Sequence, residues 1–355
     1  GAYVVVVGAR PVLLDPGAET YTARTFSSKR YESRVLNSYG HDVPRVAGQL
    51  QRSGREAQGK VVRAELTDAA DTIEFDLTSA YLVEALQSLH RTCVYNRQNP
   101  AFTVTDTVQF SSPQAFETAL VTLGEYRVEP DGALTIWDVD RAVSVAIDTG
   151  GQAYHLVDDR MNEDVHTPTL PLRIGIVLDQ PVQTASITVK VTPKTDLGGD
   201  GLVKNGDFEF GAFGWSLGDS KVAQLSTEQA HSGQASLKIT DDSKEGGSNI
   251  NSAEMPADPD TAYRFTGWVY LAGGSGIGLY VRYFDADHHL LNQMDERGWL
   301  PALGEARGKQ GEWTEFSVPF RTPPGTQRIQ LWIHSANAAV VTGYLDDLAV
   351  VKAAQ

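Results

Sequence analysis

The sequence predicts an all-β protein of two domains, an antiparallel β-sandwich followed by a β-jelly roll. The chain has 355 residues, which is more than one hydrophobic core usually supports. Segments rich in Val, Ile, Thr and Phe alternate with clusters of Gly, Pro, Asn and Asp, as in strands that are joined by turns. Helical periodicity is scarce, and the best helical candidate, residues 77–90, itself contains the alternation of a strand.

The first predicted domain covers residues 1–193, and its strand candidates have the spacing of antiparallel sheets. They lie at residues 3–7, 61–66, 72–77, 92–96, 103–110, 142–148 and 185–192. Turn-forming residues then dominate, with Lys-Thr-Asp-Leu-Gly-Gly-Asp-Gly at 194–201. We therefore place a linker at 194–200.

The second predicted domain covers residues 201–355 and contains strand candidates numerous enough for a jelly roll. They lie at residues 235–240, 263–271, 277–285, 314–319, 328–334 and 343–351.

Composition excludes several classes of function. A formal net charge of −15 argues against nucleic acid, whose binding needs a basic surface. The same charge repels polyanions at long range, so any Arg or Lys that binds an acidic sugar must act locally. No apolar run reaches the roughly 18 residues of a membrane helix, and the apolar run at 3–7 is too short for a signal peptide. Cys93 is the one cysteine, which excludes an internal disulfide and leaves the redox compartment open.

Four motifs in the second domain occur in a characteristic order. They are Leu-Val-Lys-Asn-Gly-Asp-Phe-Glu at 202–209, Gly-Trp at 214–215, His-Ser-Gly-Gln-Ala-Ser-Leu-Lys-Ile at 231–239 and Tyr-Leu-Asp-Asp-Leu at 344–348. Together they resemble the jelly-roll carbohydrate-binding modules of glycan-degrading enzymes, which are of the galactose-binding-like type. The resemblance implies that the protein binds polysaccharide.

The same resemblance implies a structural calcium ion that ties the first strand of the module to the last. Asp207, Glu209 and Asp346 occupy the matching positions, and carboxylate oxygens suit Ca²⁺. The alternative is that these residues are ordinary surface acids.

Sugars stack their apolar faces on flat aromatic rings, so aromatic side chains on one sheet face or at loop tips are candidate binding residues. The candidates are Trp268, Tyr270, Tyr280, Tyr283, Trp299, Trp332 and His334. Trp299 lies in a loop-like segment and is expected to be exposed, whereas Trp215 and Trp313 are expected in the core. Packing in the core is the alternative for each candidate.

The first domain carries a second set of motifs, which begins at the N-terminus. They are residues 1–8, Leu-Asp-Pro-Gly at 14–17, Tyr21, Phe-Ser at 26–27, Arg-Tyr at 30–31, Asn-Ser-Tyr-Gly-His at 37–41, Val-Ala-Gly at 46–48, Leu-His-Arg-Thr at 89–92, Val-Thr-Asp at 104–106 and Leu-Arg-Ile-Gly-Ile at 172–176. They resemble the β-sheet domain of the heparinase II/III-like polysaccharide lyases.

The lyase resemblance implies an α/α toroid domain that would precede this chain, with the active cleft between toroid and sheet. Such enzymes cleave a uronic-acid-containing polysaccharide by β-elimination, in which a base removes the proton next to a neutralised carboxylate. The main acid and base are expected in the toroid and in a preceding His motif. The catalytic residues are therefore unknown in this chain, which alone is expected to be inactive.

Part of the implied site falls within the chain. Asp15 and His41 match two ligands of a partial zinc site, the third being expected upstream. A turn acid before Pro16 and a hydrogen-bonded structural histidine are the alternatives. Tyr21, Arg30 and Tyr39 are the candidates for contact with acidic sugar, because a guanidinium pairs with carboxylate or sulfate in a bidentate manner; surface packing is their alternative.

Two functions follow from these observations. The first is the C-terminal portion of a secreted, periplasmic or cell-surface lyase of an acidic polysaccharide, with an appended binding module. The second is a non-catalytic glycan-binding or cell-surface protein that uses the sheet domain as a scaffold.

Overall fold

The computed structural model describes residues 1–17, 19–167, 169–195, 197, 201–335 and 340–353. Strands dominate these residues, and the named strands pair antiparallel, which confirms the predicted all-β class. The helices in the described part are single 3₁₀ turns at Arg30–Glu32, Ser38–Gly40 and Thr78–Ala80. Contacts divide the chain into two compact units, Gly1–Thr195 and Asp196–Gln355. Residues 196 and 198–200 of the predicted linker lie outside the described residues.

The strands of the first unit, in chain order, are β1 (Val5–Val7), β2 (Arg10–Leu13), β3 (Arg45–Val46), β4 (Lys60–Leu66), β5 (Ala70–Asp76), β6 (Leu86–Asn96), β7 (Ala101–Gln114), β8 (Phe116–Thr122), β9 (Glu125–Val128), β10 (Leu134–Asp138), β11 (Arg141–Asp148), β12 (Tyr154–Arg160), β13 (Leu172–Leu178) and β14 (Val182–Lys194). They form an eight-stranded sheet in the order β4-β5-β6-β7-β14-β11-β10-β9, a four-stranded sheet in the order β12-β13-β8-β3, and the ribbon β1-β2.

The core of the first unit draws on both sheets. Val108 and Val189 come from the eight-stranded sheet, and Leu120 and Ile174 come from the four-stranded sheet. The stretch at 77–90 that carried the best helical pattern contains one 3₁₀ turn and then enters β6.

A buried ion pair links two of the sequence motifs of this unit. Arg91 on β6 lies opposite Asp106 on β7, and both are almost fully buried. Nε and Nη2 of Arg91 donate to the two carboxylate oxygens of Asp106, each at 2.7 Å. The Thr118 hydroxyl donates to the same carboxylate at 2.7 Å, and Arg91 also donates to the Gly1 carbonyl. The motif residues at 91 and 106 therefore hold the sheets and the chain start together.

The strands of the second unit are β15 (Trp215–Ser216), β16 (Ala223–Ser226), β17 (Ser236–Asp241), β18 (Ile250–Ser252), β19 (Met255–Pro256), β20 (Ala262–Gly273), β21 (Ile277–Phe284), β22 (Gly304–Ala306), β23 (Trp313–Arg321), β24 (Arg328–His334) and β25 (Val341–Lys352). One sheet has the order β15-β18-β24-β21-β22, with β19 also paired to β24, and the other has the order β16-β17-β25-β20-β23. Apolar side chains of both sheets form one core, as in a β-sandwich.

Alternation along β21 and β24 decides which side chains leave this core. Ile277, Leu279 and Val281 are buried, as are the alternate residues of β24 from Ile329 to Ile333. The intervening residues are partly exposed on the outer face of the sheet. The register places Tyr280 opposite Trp332 and Arg282 opposite Gln330, so one aromatic and one polar pair lie side by side.

None of the helices in the described residues is long and apolar enough to cross a membrane.

Candidate functional site

An aromatic cleft lies on the outer face of the sheet that contains β21 and β24. Its volume is about 500 Å³, within the range of small-ligand sites. The residues that line it are Tyr280, Arg282, Leu290, Met294, Trp299, Leu300, Trp332 and His334. Four of these residues are aromatic candidates from the sequence, and the fold brings them together.

The floor of the cleft is a set of rings in mutual contact. The ring centroids of Tyr280 and Trp332 are 4.5 Å apart, and those of Trp332 and His334 are 4.8 Å apart in a stacked arrangement. Trp332 Nε1 donates to Asn249 Oδ1 at 2.9 Å, while Nδ1 of His334 donates to the Ser248 carbonyl. These bonds satisfy the polar edges of the rings and fix their orientation.

The wall of the cleft is the loop between β21 and β22, which presents Trp299 with 58% of its surface exposed. Asp295 Oδ1 accepts from the backbone N–H groups of Arg297 and Trp299 at 2.9 and 2.8 Å. The Arg297 guanidinium lies 4.6 Å from the centroid of the Trp299 ring. Asn292 Oδ1 accepts from the Tyr283 N–H at 2.8 Å and so ties the loop to β21.

Burial alters the ionisation of two side chains on the cleft floor. It raises the pKa of Tyr280, an effect to which the Glu305 carboxylate adds. Burial also lowers the pKa of the Arg282 guanidinium. Both side chains are thus partly removed from water.

The remaining aromatic candidates lie elsewhere. Trp268 and Tyr270 lie on β20 in the other sheet, where Trp268 stacks on His231 at 3.8 Å and Tyr270 contacts Trp313 at 5.7 Å. Tyr283 packs against the core, and burial raises its pKa to about 12.

The two tryptophans expected in the core differ from each other. Trp215 is 7% exposed, as expected. Trp313 is only partly buried, and its ring contacts Tyr270 and His231.

Two of the three predicted calcium ligands, Glu209 and Asp346, bind the turn at 231–235. Asp346 is fully buried, and its carboxylate accepts from the N–H groups of His231 at 2.7 Å and Ser232 at 3.1 Å. Glu209 Oε1 accepts from the N–H groups of Gln234 and Ala235 at 2.7 and 2.8 Å. A Cβ at Gly233 would lie 2.4 Å from the Glu209 carboxylate. The motif at 231–239 therefore begins with a turn whose backbone binds two of the acids.

Asp207 differs from these two acids because its Oδ1 is buried and has no hydrogen-bond partner in the described structure. Burial raises the pKa of Asp207, and the carboxylates of Glu209 and Asp347 add to this effect. Burial also raises the pKa of Asp346 to about 6. The described residues contain no group of three or more His, Cys, Asp and Glu side chains arranged to hold a metal. Carboxylate oxygens are the donors that calcium takes, but the oxygens of these three residues do not converge on one point.

Asp207 and Trp268 share a separate cavity of about 400 Å³ with Glu315 and Asp347. This cavity combines one aromatic wall with three carboxylates, unlike the aromatic cleft.

In the first unit the fold brings Asp15 and His41 together. Nδ1 of His41 donates to Asp15 Oδ2 at 3.0 Å, and this bond lowers the pKa of Asp15. Asp15 Oδ1 also accepts from the Gly17 N–H at 2.9 Å, as expected of a turn acid. The two donors fall short of the closed ligand set of a zinc site, and no third metal-binding side chain joins them in the described residues.

The predicted sugar contacts of the first unit have separate partners. Tyr21 is 68% exposed and contacts Phe26, whereas Arg30 Nη1 donates to the Thr25 carbonyl at 3.2 Å. The Tyr39 hydroxyl donates to Asp159 at 2.9 Å. No contact in the described structure joins the three. A cleft of about 490 Å³ instead combines His41 with residues outside this set, including Tyr31, Asn37, Gln51 and Arg52.

The aromatic cleft contains residues that the sequence alone did not identify as binding residues. They are Arg282, Leu290, Met294 and Leu300. Arg282 carries a detectable signal, since it alternates with Tyr280 on one strand face. The three apolar residues carry no such signal, because the path of the loop brings them to the cleft.

Comparison with protein families gives one match. Residues 200–339 match the carbohydrate-binding domain family CBM_4_9. No curated protein sequence matches the chain.

Solved structures with partial likeness include carbohydrate-binding modules and heparinases. A family 16 carbohydrate-binding module is 20% identical, and the match covers 42% of this chain and 99% of the module with a TM-score of 0.32. Heparinase III is 14% identical, with 71% of this chain and 33% of that protein covered and a TM-score of 0.44. The heparan sulfate lyase HepC from Pedobacter heparinus is 10% identical, with 71% and 34% covered and a TM-score of 0.45. The chain spans about a third of the length of these lyases.

Proposed function

We propose that the protein binds a polysaccharide chain in the aromatic cleft of its second unit. The observation that supports this most directly is the convergence of Tyr280, Trp299, Trp332 and His334 around one cleft within a segment that matches a carbohydrate-binding domain.

The physical basis is the match between a cleft of this composition and a sugar ring. The axial C–H groups of a sugar ring form an apolar face that packs on an aromatic ring, while hydroxyls need polar partners at the edge. Trp299 offers an exposed ring, and His334 and Arg282 supply polar groups at the floor. The chain therefore combines a stacking platform with orienting groups.

Titration of the full chain with soluble glycans tests this proposal. The panel contains neutral β-glucan, xylan and galactan together with polymers of glucuronate, galacturonate and mannuronate. We expect at least one polymer to bind and to protect the tryptophan fluorescence of the chain from quenching. The absence of binding to every member would contradict the proposal.

We further propose, on the motifs of the first unit, that this unit is the sheet domain of a polysaccharide lyase that cleaves an acidic glycan by β-elimination. The contact of Asp15 with His41, residues that lie 26 positions apart, is expected both of this proposal and of a scaffold with a structural histidine. Zinc at this pair stays a prediction that depends on an upstream ligand.

The lyase proposal predicts a difference between this chain and a longer protein. This chain joined to an upstream toroid domain should release unsaturated uronides, which absorb in the ultraviolet, whereas this chain alone should not. A longer protein that leaves heparin, alginate, chondroitin and ulvan-type glycans unchanged would favour the alternative of a non-catalytic glycan-binding protein. A secreted, periplasmic or cell-surface location is part of both proposals.

We also propose that Ca²⁺ binds at Asp207 with Glu209 and Asp346, because Asp207 Oδ1 is buried without a partner and a cation would compensate it. Saturating Ca²⁺ should then raise the unfolding temperature of the second unit, and a chelator should reverse the effect. Asp207→Asn should abolish the response. An unchanged unfolding temperature in the wild-type chain would contradict this proposal.

A further inference from the structure

We propose that the aromatic cleft selects a sugar that carries a carboxylate, and that the guanidinium of Arg282 pairs with this carboxylate. The inference rests on the proposed glycan-binding function and deepens it by naming the ligand class, a uronic acid residue within a polysaccharide.

The hydrogen bonds of Arg282 leave one edge of its guanidinium available. Nη1 donates to Asn251 Oδ1 at 2.7 Å and to Gln330 Oε1 at 3.0 Å. Both acceptors are neutral amide oxygens. In the described structure Nε and Nη2 make no hydrogen bond, and these two nitrogens form the fork that binds a carboxylate through parallel bonds.

The charge of Arg282 is likewise uncompensated. Arg282 takes part in no ion pair among the described residues, whereas Arg297 and Arg307, which lie before and after β22, do. Arg297 pairs with Asp295 at 2.9 Å, and Arg307 pairs with Glu305 at 2.6 Å. The cleft thus has a net positive charge on its floor, within a chain whose formal net charge is −15.

Burial makes this arrangement costly without a ligand. Arg282 is partly buried, and burial lowers the pKa of its guanidinium, an effect that no acidic side chain among the described residues opposes. A charged group that loses water contacts without gaining a counter-charge destabilises the free protein. A carboxylate on the ligand would remove this penalty and form charge-assisted hydrogen bonds in a site partly shielded from water.

The position of Arg282 suits a carboxylate that is attached to a stacked sugar ring. Its guanidinium lies 4.9 Å from the centroid of the Trp332 ring, next to the pair formed by Tyr280 and Trp332. In a uronic acid the carboxylate is bonded directly to the ring. A uronic acid that packs on the aromatic residues of the cleft therefore places its carboxylate within reach of a neighbouring side chain such as Arg282.

The competing explanation for Arg282 is structural, since the same side chain packs on Trp332 and bonds to Asn251 and Gln330. The two explanations differ in what they predict for the ligand. Replacement of a structural arginine changes the affinity for acidic and neutral sugars alike, whereas replacement of a carboxylate-binding arginine changes the affinity for the acidic sugar only.

The experiment compares matched ligands on the full chain by isothermal titration calorimetry. The probes are oligomers of galacturonate, mannuronate and heparosan, each beside its carboxyl-reduced counterpart, in which the carboxylate has become a primary alcohol. We expect wild type to bind at least one acidic oligomer about tenfold or more tightly than its reduced form. A hydrogen bond to a charged group contributes more than about 1 kcal/mol, and a free-energy difference of that size corresponds to roughly this ratio of affinities.

Arg282→Gln should abolish this preference and retain binding of the reduced oligomer. Arg282→Lys, which keeps the charge but loses the fork, should lose most of the preference. Circular dichroism establishes that both variants fold, and Arg264→Gln on the other sheet serves as a control that should bind as wild type does.

Three results would overturn the inference. They are equal affinity of wild type for acidic and reduced oligomers, a preference that persists in Arg282→Gln, and an equal loss of both affinities in that variant. Each leaves the proposed glycan-binding function standing if any sugar binds. The absence of binding to every acidic, reduced and neutral glycan would instead contradict the proposed function itself.

Discussion

At the scale of single residues, Trp299 and Trp268 show that two tryptophans predicted as sugar-binding candidates have different surroundings. Trp299 lines the aromatic cleft, whereas Trp268 stacks on His231 and shares a cavity with carboxylates. The sequence placed both among the sugar-binding candidates. Their places in the fold separate them, because Trp268 lies on β20 and Trp299 lies in the loop that follows β21, a strand of the other sheet.

We expect Trp299→Ala to weaken glycan binding by about 1 kcal/mol or more, roughly fivefold, because the variant loses a stacking platform. Trp268→Ala is the matched control on the other sheet and should bind as wild type does. Titration calorimetry with the best glycan of the panel measures both. The reverse order of effects would move the binding site to the cavity that contains Trp268.

Asp106 gives a prediction on stability. Asp106→Ala should destabilise the first unit by about 3–5 kcal/mol, because it leaves the buried Arg91 without its counter-charge. Asp71→Ala, which breaks an ion pair with Arg97 that is half exposed on the arginine side, should cost less than about 1 kcal/mol. Urea denaturation followed by circular dichroism compares the two. Similar losses in both variants would show that the Arg91 pair contributes little.

At the scale of elements, the motif Asn-Gly-Asp at 205–207 is explained by one tight turn. Asn205 has a positive φ of 51°, and its side chain bonds to backbone groups of Phe210, Gly211 and Phe213. The Leu348 N–H donates to the Gly206 carbonyl at 2.9 Å. The turn thereby connects the start of the second unit with its last strand, β25.

Gly206→Ala should destabilise the second unit by about 2 kcal/mol or more, because the added Cβ would lie 1.9 Å from the Leu348 carbonyl oxygen and the backbone must shift. Gly246→Ala is the control, since its Cβ would meet no atom within 4 Å. Tryptophan fluorescence during denaturation reports on this unit, which holds five of the six tryptophans. Equal stability of the two variants would show that the turn yields easily.

Sequence patterns were sufficient to predict some strands and not others. Strands with apolar and polar alternation, such as β21 and β24, were predicted close to their observed bounds. Strands such as β8 and β13 were not predicted, because almost every side chain in them is buried and alternation is lost. A run of this kind carries no period that distinguishes a strand from other buried segments.

At the scale of the whole molecule, the two compact units predict two independent functions. A fragment of residues 201–355 should fold and bind the same glycan with the affinity of the full chain, because the residues that line the aromatic cleft all lie in the second unit. Titration of fragment and full chain under identical conditions measures this. A fragment that folds but binds more weakly would show that the first unit contributes to binding.

The sequence by itself determined the all-β class, the strands with clear alternation and, through its ordered motifs, the carbohydrate-binding character of the second unit, which the match at 200–339 supports. These properties are encoded locally, in a period of two and in short turns. Only the tertiary structure decided which aromatic residues share a cleft, that Arg282 lies among them without an acidic partner in the described part of the chain, and that Arg91 binds Asp106. Such relations depend on sheet order and strand register, which bring together residues that are distant in the chain.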